Sequence, residues 1–250
     1  MDYLWLFVSF FLIALVYSSA GFGGGSSYLA VLALSGLPTG AIRPIALICN
    51  LAVTGGSTVS FARAGVMPWR RALPLVLASM PAAFLGGRVL LAREEYLLLL
   101  GALLLLAALL MLVRRPAGAE AGVKSGGAAG AVAIGIGGVV GFVSGVVGIG
   151  GGIFLSPVLF LTRWAPAREI AATTSLFIAL NSAAGLAGQL SVGTEVDYAL
   201  TLLLLLAVIG GGQLGTRMTL RWLPPAYIQK IAAALILFVG IRLVWTNWPL

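Results

Sequence analysis

The sequence predicts an all-α integral membrane protein built from two homologous halves, and three observations carry that prediction. Sixty per cent of its 250 residues are hydrophobic and nine per cent are charged, whereas roughly a quarter of a soluble domain is charged. Two glycine clusters, Gly21-Phe22-Gly23-Gly24-Gly25 and Gly148-Ile149-Gly150-Gly151-Gly152, each interrupt a long uncharged run, 127 positions apart. The remainder divides into apolar stretches close to the roughly 20 residues that a membrane helix needs.

Eight hydrophobic segments follow in order: 3–36 with its glycine break, 41–61, 72–92, 96–113, 127–162 with its break, 170–192, 198–216 and 226–245. The first is kept in the mature chain. Ser18-Ser19-Ala20 resembles a cleavage site, but Asp2 is the only charge before the apolar run, where a signal peptide is basic. Residues 1–113 form one repeat and 127–250 the other; 114–126, with Arg114, Arg115, Glu120 and Lys124 among Pro, Gly and Ala, reads as a solvated connector. Leu85-Gly86-Gly87-Arg88 matches Leu214-Gly215-Thr216-Arg217 at an offset of 129, and Asn50 is matched to Asn181 at 131 after an insertion near Arg163-Trp164.

Loop charges differ between the halves. Arg63, Arg70 and Arg71 follow the second segment of half one without an acid, while the counterpart loop of half two holds Glu195 and Asp197 without a base. The positive-inside rule makes the first loop cytoplasmic and the second external. Equivalent loops on opposite faces imply inverted repeats with glycine-broken helices, an architecture of secondary transporters. Inversion requires an odd number of crossings per half, which five helices satisfy if each broken segment counts as two.

Several function classes are excluded by what is missing. The net charge of +8 has no soluble basic face with interleaved aromatics, so no nucleic-acid partner is expected. Cys49 is the only cysteine and histidine is absent, which removes intrachain disulfides and a histidine or cysteine metal site. No acid lies inside a predicted segment, so hydrolysis by paired carboxylates and a buried proton relay both lack their groups. No cofactor is expected.

The glycine clusters carry the chemistry that remains. Consecutive glycines unwind a helix and expose backbone N–H groups, tolerated at membrane depth only against protein or a water-filled cavity. The helix that follows offers its positive dipole end to an anion. The candidate ligand residues are therefore Gly23, Gly24 and Gly25 with Ser26 and Ser27 in half one, and Gly150, Gly151 and Gly152 in half two. The next segment of each half adds Asn50 and Thr54, four apart on one face, and Thr174, Ser175 and Asn181. Arg43, Ser57, Thr58, Thr173, Ser182 and Gln189 complete the polar set on these segments. Gly210-Gly211-Gly212 and the glycines of 135–141 read as packing residues, and Arg88 and Arg217 as snorkelling cations.

The two clusters, with Pro157 after the second and Ala172-Thr173-Thr174-Ser175-Leu176 beyond it, resemble the TauE/SafE family of sulfite and organosulfonate exporters over essentially the whole chain. The resemblance implies a carrier that exports a small sulfur-containing anion across the inner membrane. The chain departs from it where Thr173 stands in place of a glycine often found before the Thr-Ser pair, and where half one has Arg43-Pro44 in place of Thr174-Ser175. An anion channel with a backbone N–H filter and a non-transporting helper subunit are the alternatives. The expected partners are the lipid bilayer and a small inorganic or organosulfur anion, with a homodimer left open.

Overall fold

The computed structural model describes residues 3–19, 22–113, 127–162, 164–219 and 237–247. Among them run ten helices. These are α1 (Leu4–Ser19), α2 (Gly25–Leu34), α3 (Thr39–Arg63), α4 (Trp69–Gly87), α5 (Arg93–Val113), α6 (Gly127–Val147), α7 (Gly152–Leu161), α8 (Ala167–Leu190) and α9 (Tyr198–Thr219), followed by α10 (Leu237–Asn247). The expected connector, the first part of the last segment and the side chain of Arg217 lie outside the described residues. Gly40–Arg63, Arg168–Leu190 and Tyr198–Gly215 are long and apolar enough to span a membrane, and α1, α2 and α10 are shorter apolar helices. The chain is a multi-pass α-helical membrane protein.

Each glycine break makes a hairpin. The rings of Phe10 in α1 and Tyr28 in α2 stack with centroids 4.6 Å apart, although a straight helix would separate them by about 27 Å at 1.5 Å per residue. Helix α2 therefore folds back along α1. Half two repeats this in register: a methyl group at Gly24 would come within 2.9 Å of Ile13, and one at Gly151 within 3.1 Å of Val140, 127 positions further on. A 10-residue α2 rises only about 15 Å against a hydrocarbon core of about 30 Å. The first two helices of each half thus enter and return instead of making two full crossings. Three helices follow in each half, α3 to α5 and α8 to α10, an odd number.

The halves are inverted relative to one another. Leu47 of α3 lies 3.7 Å from the Cβ position of Gly185 on α8, whereas Asn50 and Ser182 both border Gly150. Advancing along α3 therefore means retreating along α8, so the two run antiparallel. With helices alternating in direction, Arg63, Arg70, Arg71 and Arg168 share one face with Glu169, and Glu94, Glu95, Glu195 and Asp197 share the other with Arg88 and Arg93. The basic and acidic faces of the molecule are distinct. Asp197 also caps a helix, its Oδ1 accepting from the Leu200 N–H at 3.0 Å.

Glycines let the scaffold close. A methyl group at Gly86 of α4 would overlap the Phe142 carbonyl on α6, and one at Gly215 of α9 would overlap the Leu15 carbonyl on α1. Gly141 and Gly211 likewise seat against the backbone of Ser79 and Phe11, which is the small-residue packing expected of them.

The register of the central helices corrects the sequence match. Pro38 and Pro166 occupy the caps of α3 and α8, which sets their offset at 128. Gly23 borders Asn50 and Thr54, while its equivalent Gly150 borders Ile178 and Ser182, again at 128. Asn50 therefore corresponds to Ile178, Asn181 to Val53, and Arg43 to Ala171. The pairing of Asn50 with Asn181, and of Arg43-Pro44 with Thr174-Ser175, is one helical turn out of place because only one residue, not four, is inserted before α8.

Candidate functional site: the meeting of the two glycine turns

Both glycine turns use backbone closed to other residues. Gly24, the N-cap of α2, has φ 84°, and Gly150 and Gly151 before α7 have φ 82° and 79°, a left-handed region that costs an L-residue about 1–2 kcal/mol. These turns aim the starts of α2 and α7 inward. The first N–H groups of any helix lack a carbonyl one turn earlier, so both starts bring donors and a positive dipole end.

Asn50 sits between them, fully buried. Its Nδ2 donates to the Ile149 carbonyl in the second cluster at 2.8 Å, while a methyl group at Gly23 or Gly25 in the first cluster would overlap its amide. Oδ1 then points away from Ile149 and has no partner. Thr54, one turn on, packs its methyl group against Gly23 and donates Oγ1–H to the Asn50 carbonyl at 2.6 Å. One side chain thereby joins both clusters and keeps an acceptor free.

A cavity opens at this point, and its two walls differ. Tyr17, Phe22, Gly23, Gly24, Gly25, Ser26 and Asn50 line it from half one, and Ile149, Gly152, Ile153 and Ile178 from half two. Ile153 is the equivalent of Ser26, and Ile178 of Asn50. Half one thus contributes polar side chains beside Phe22, while the half-two side chains are apolar.

The sequence candidates divide accordingly. Gly23, Gly24, Gly25, Ser26, Asn50 and Gly152 line the cavity, with Thr54 and Gly150 directly behind them. Ser27 donates to the Tyr17 hydroxyl at 2.7 Å and so orients a cavity side chain. Thr174 packs on Gly152 and its buried hydroxyl has no partner. Gly151 packs against Val140, Ser144 and Phe177, and Ser175 Oγ donates to the Ala171 carbonyl within its own helix at 3.0 Å. Asn181 is elsewhere: its Nδ2 donates to Ser79 Oγ on α4 at 2.8 Å and to the Phe177 carbonyl at 2.9 Å.

Tyr17 was not among the sequence candidates, and Ser182 was named only within the wider polar set of its segment. Tyr17 could have been found, because it and Ser144 stand in register in the last turn before each break. Ser182, whose buried hydroxyl has no partner, is singled out from that set only once the 128 register makes it the equivalent of Thr54.

Among the described residues Arg43 has no acid beside it, and it is only 7% exposed. NH1 donates to the Val89 carbonyl at 3.1 Å, and NH2 donates to the Gly87 and Gly145 carbonyls at 3.3 and 3.1 Å. The last carbonyls of α4 and α6 carry the negative ends of their helix dipoles, which a cation satisfies. Tyr96 lies under the guanidinium, 5.9 Å to the ring centroid, and donates to the Val147 carbonyl at 3.0 Å.

The family model for the sulfite exporter TauE/SafE matches residues 6–243, both halves and both turns. The chain belongs to the TauE/SafE family. The "Probable membrane transporter protein y4hK" of Sinorhizobium fredii (strain NBRC 101917 / NGR234) is 36% identical over 243 residues, covering 96% of this chain and 97% of that protein. No solved structure matches the chain. Membrane transport is the activity that the family and this relative support.

Proposed function

We propose that this chain exports a small sulfur-containing anion, sulfite or an organosulfonate, across the inner membrane, and that the anion binds in the central cavity. The observation that carries this reading is the convergence of two helix starts, α2 and α7, on one buried cavity. Each dipole end favours an anion by about 0.3–1 kcal/mol, and by up to about 2 kcal/mol when partly buried. Among the described residues no fixed cation lines the cavity, so the anion is held by N–H and O–H dipoles from which it can leave. The isoleucine wall suits the carbon-bearing part of an organosulfonate better than a fully solvated oxyanion.

The basic face is the cytoplasmic one under the positive-inside rule. With the cell interior negative, outward movement of one negative charge is favoured by about 2.3 kcal/mol per 100 mV, so no buried carboxylate is needed to drive export. The test is anion efflux from proteoliposomes under an imposed potential. Efflux should accelerate when the interior is made negative; efflux that ignores the potential would refute electrogenic export.

A further inference from the structure

The inverted halves contain the same helix seam twice, once open and once shut. On the acidic side, the C-terminal halves of α4 and α8 meet without space: methyl groups at Gly87 and Gly188 would overlap the carbonyls of Gly185 and Phe84. The equivalent seam on the basic side lies between α3 and α9. There the contacts are looser: the Gln213 amide lies 3.6 Å from the Cβ position of Gly56, and Val53 lies 3.5 Å from that of Gly212, ordinary van der Waals distances. A second cavity fills the gap, lined by Ser57, Ser60 and Gln213 among small and apolar residues.

This open seam starts one turn from the central site. Asn50, Thr54 and Ser57 follow at spacings of four and three along α3, one helical face; Asn50 and Thr54 are fully buried, and Ser60 and Gln213 are exposed. The shut seam carries a lock without a counterpart. Arg43 joins α3 to the ends of α4 and α6, and its equivalent on the open side is Ala171.

We propose that the α3–α9 seam is the path by which a small anion reaches the central cavity from the basic face, and that the α4–α8 seam, held shut by Arg43, is the exit. Exchange of the two packings gives the opposite state. Opening the exit frees the Arg43 guanidinium from three carbonyls and places a cation in the outgoing path. The proposal rests on the reading of the central cavity as an anion site.

The test uses single cysteines in the full chain with Cys49→Ala, in sealed vesicles of each orientation. Ser57→Cys and Ser79→Cys are near-isosteric and mark the open and shut seams. A membrane-impermeant methanethiosulfonate should modify Ser57→Cys from the basic face at least about tenfold faster than Ser79→Cys from either face, since reaction follows access. Adding Arg43→Gln, or Arg43→Lys if the first fails to fold, should expose Ser79→Cys to the acidic-face reagent and slow Ser57→Cys. A Ser57→Cys that reacts only with a lipid-soluble maleimide would show a lipid-facing groove and overturn the path. Equal reactivity of the two sites with Arg43 intact would overturn the lock. One-sided labelling in vesicles that move no anion would sink the anion reading and leave the path standing.

Discussion

Asn50 of the first half donates to the carbonyl of Ile149 in the second at 2.8 Å, a bond between positions that the pseudo-twofold relation does not exchange. The equivalent of Asn50 is Ile178, so no second amide returns the bond. This asymmetry sets the amide orientation: Nδ2 must face the Ile149 carbonyl, and Oδ1 must face the first cluster.

Asn50→Ala should therefore cost more than a mid-helix amide usually does. It leaves the Ile149 carbonyl buried and unpaired, a loss of about 1–3 kcal/mol, and opens the space between the turns. A fall in melting temperature together with loss of anion-induced stabilisation is expected. Asn50→Asp should behave worse in both readings, because it sets a carboxylate oxygen against that carbonyl and a negative charge in the anion's cavity.

Glycine substitutions separate site from scaffold. Gly23→Ala places a methyl group on the Asn50 amide, and Gly24→Ala adds left-handed strain with contacts of 2.9–3.2 Å to Ile13 and Tyr28. Both should abolish anion-induced thermal shift. Gly40→Ala, with open space around it, should leave the shift intact and gain up to about 1 kcal/mol of helix propensity. A thermal-shift series with sulfite, sulfate, thiosulfate, sulfoacetate and taurine reads all three; an equal shift in Gly23→Ala and the unaltered chain would show packing glycines only.

Asn181 should prove a stability residue. Its bond to Ser79 ties α8 to α4 outside the cavity, so Asn181→Ala is expected to lower the melting temperature without changing anion affinity. In the double variant Asn181→Ala with Ser79→Ala, part of the loss should return, since removing both partners of a buried pair is milder than orphaning one. A weakened affinity in Asn181→Ala alone would place it back in the site.

The isoleucine wall predicts a preference for carbon-bearing anions. Each buried methylene contributes about 0.8 kcal/mol, or about fourfold in affinity, so ethanesulfonate should bind about fourfold more tightly than methanesulfonate and both more tightly than sulfite. Ile178→Asn, which gives half two the residue that half one has, should reverse the order. Equal dissociation constants across the series, measured by calorimetry, would remove the apolar contact.

Much of this molecule is legible along the chain. Apolar run lengths specify membrane helices because each must span a fixed thickness of hydrocarbon. The glycine clusters mark the two breaks because only glycine enters the left-handed turn at Gly24 without strain. Loop charges of one sign distinguish the faces.

Other features depend on how distant helices pack. Whether α2 continues α1 or returns along it was decided by Phe10 meeting Tyr28, not by the local sequence. The register of α3 on α8 was decided by the neighbours of Gly23 and Gly150. Offsets of 128 and 131 differ by nearly one turn of 3.6 residues, so both put a polar residue on the same helix face, and periodicity alone cannot choose between them. The difference between the two seams lies deeper still, because equivalent helices can pack in either of two arrangements. Here the bonds from Arg43 to the ends of α4 and α6 accompany the shut one.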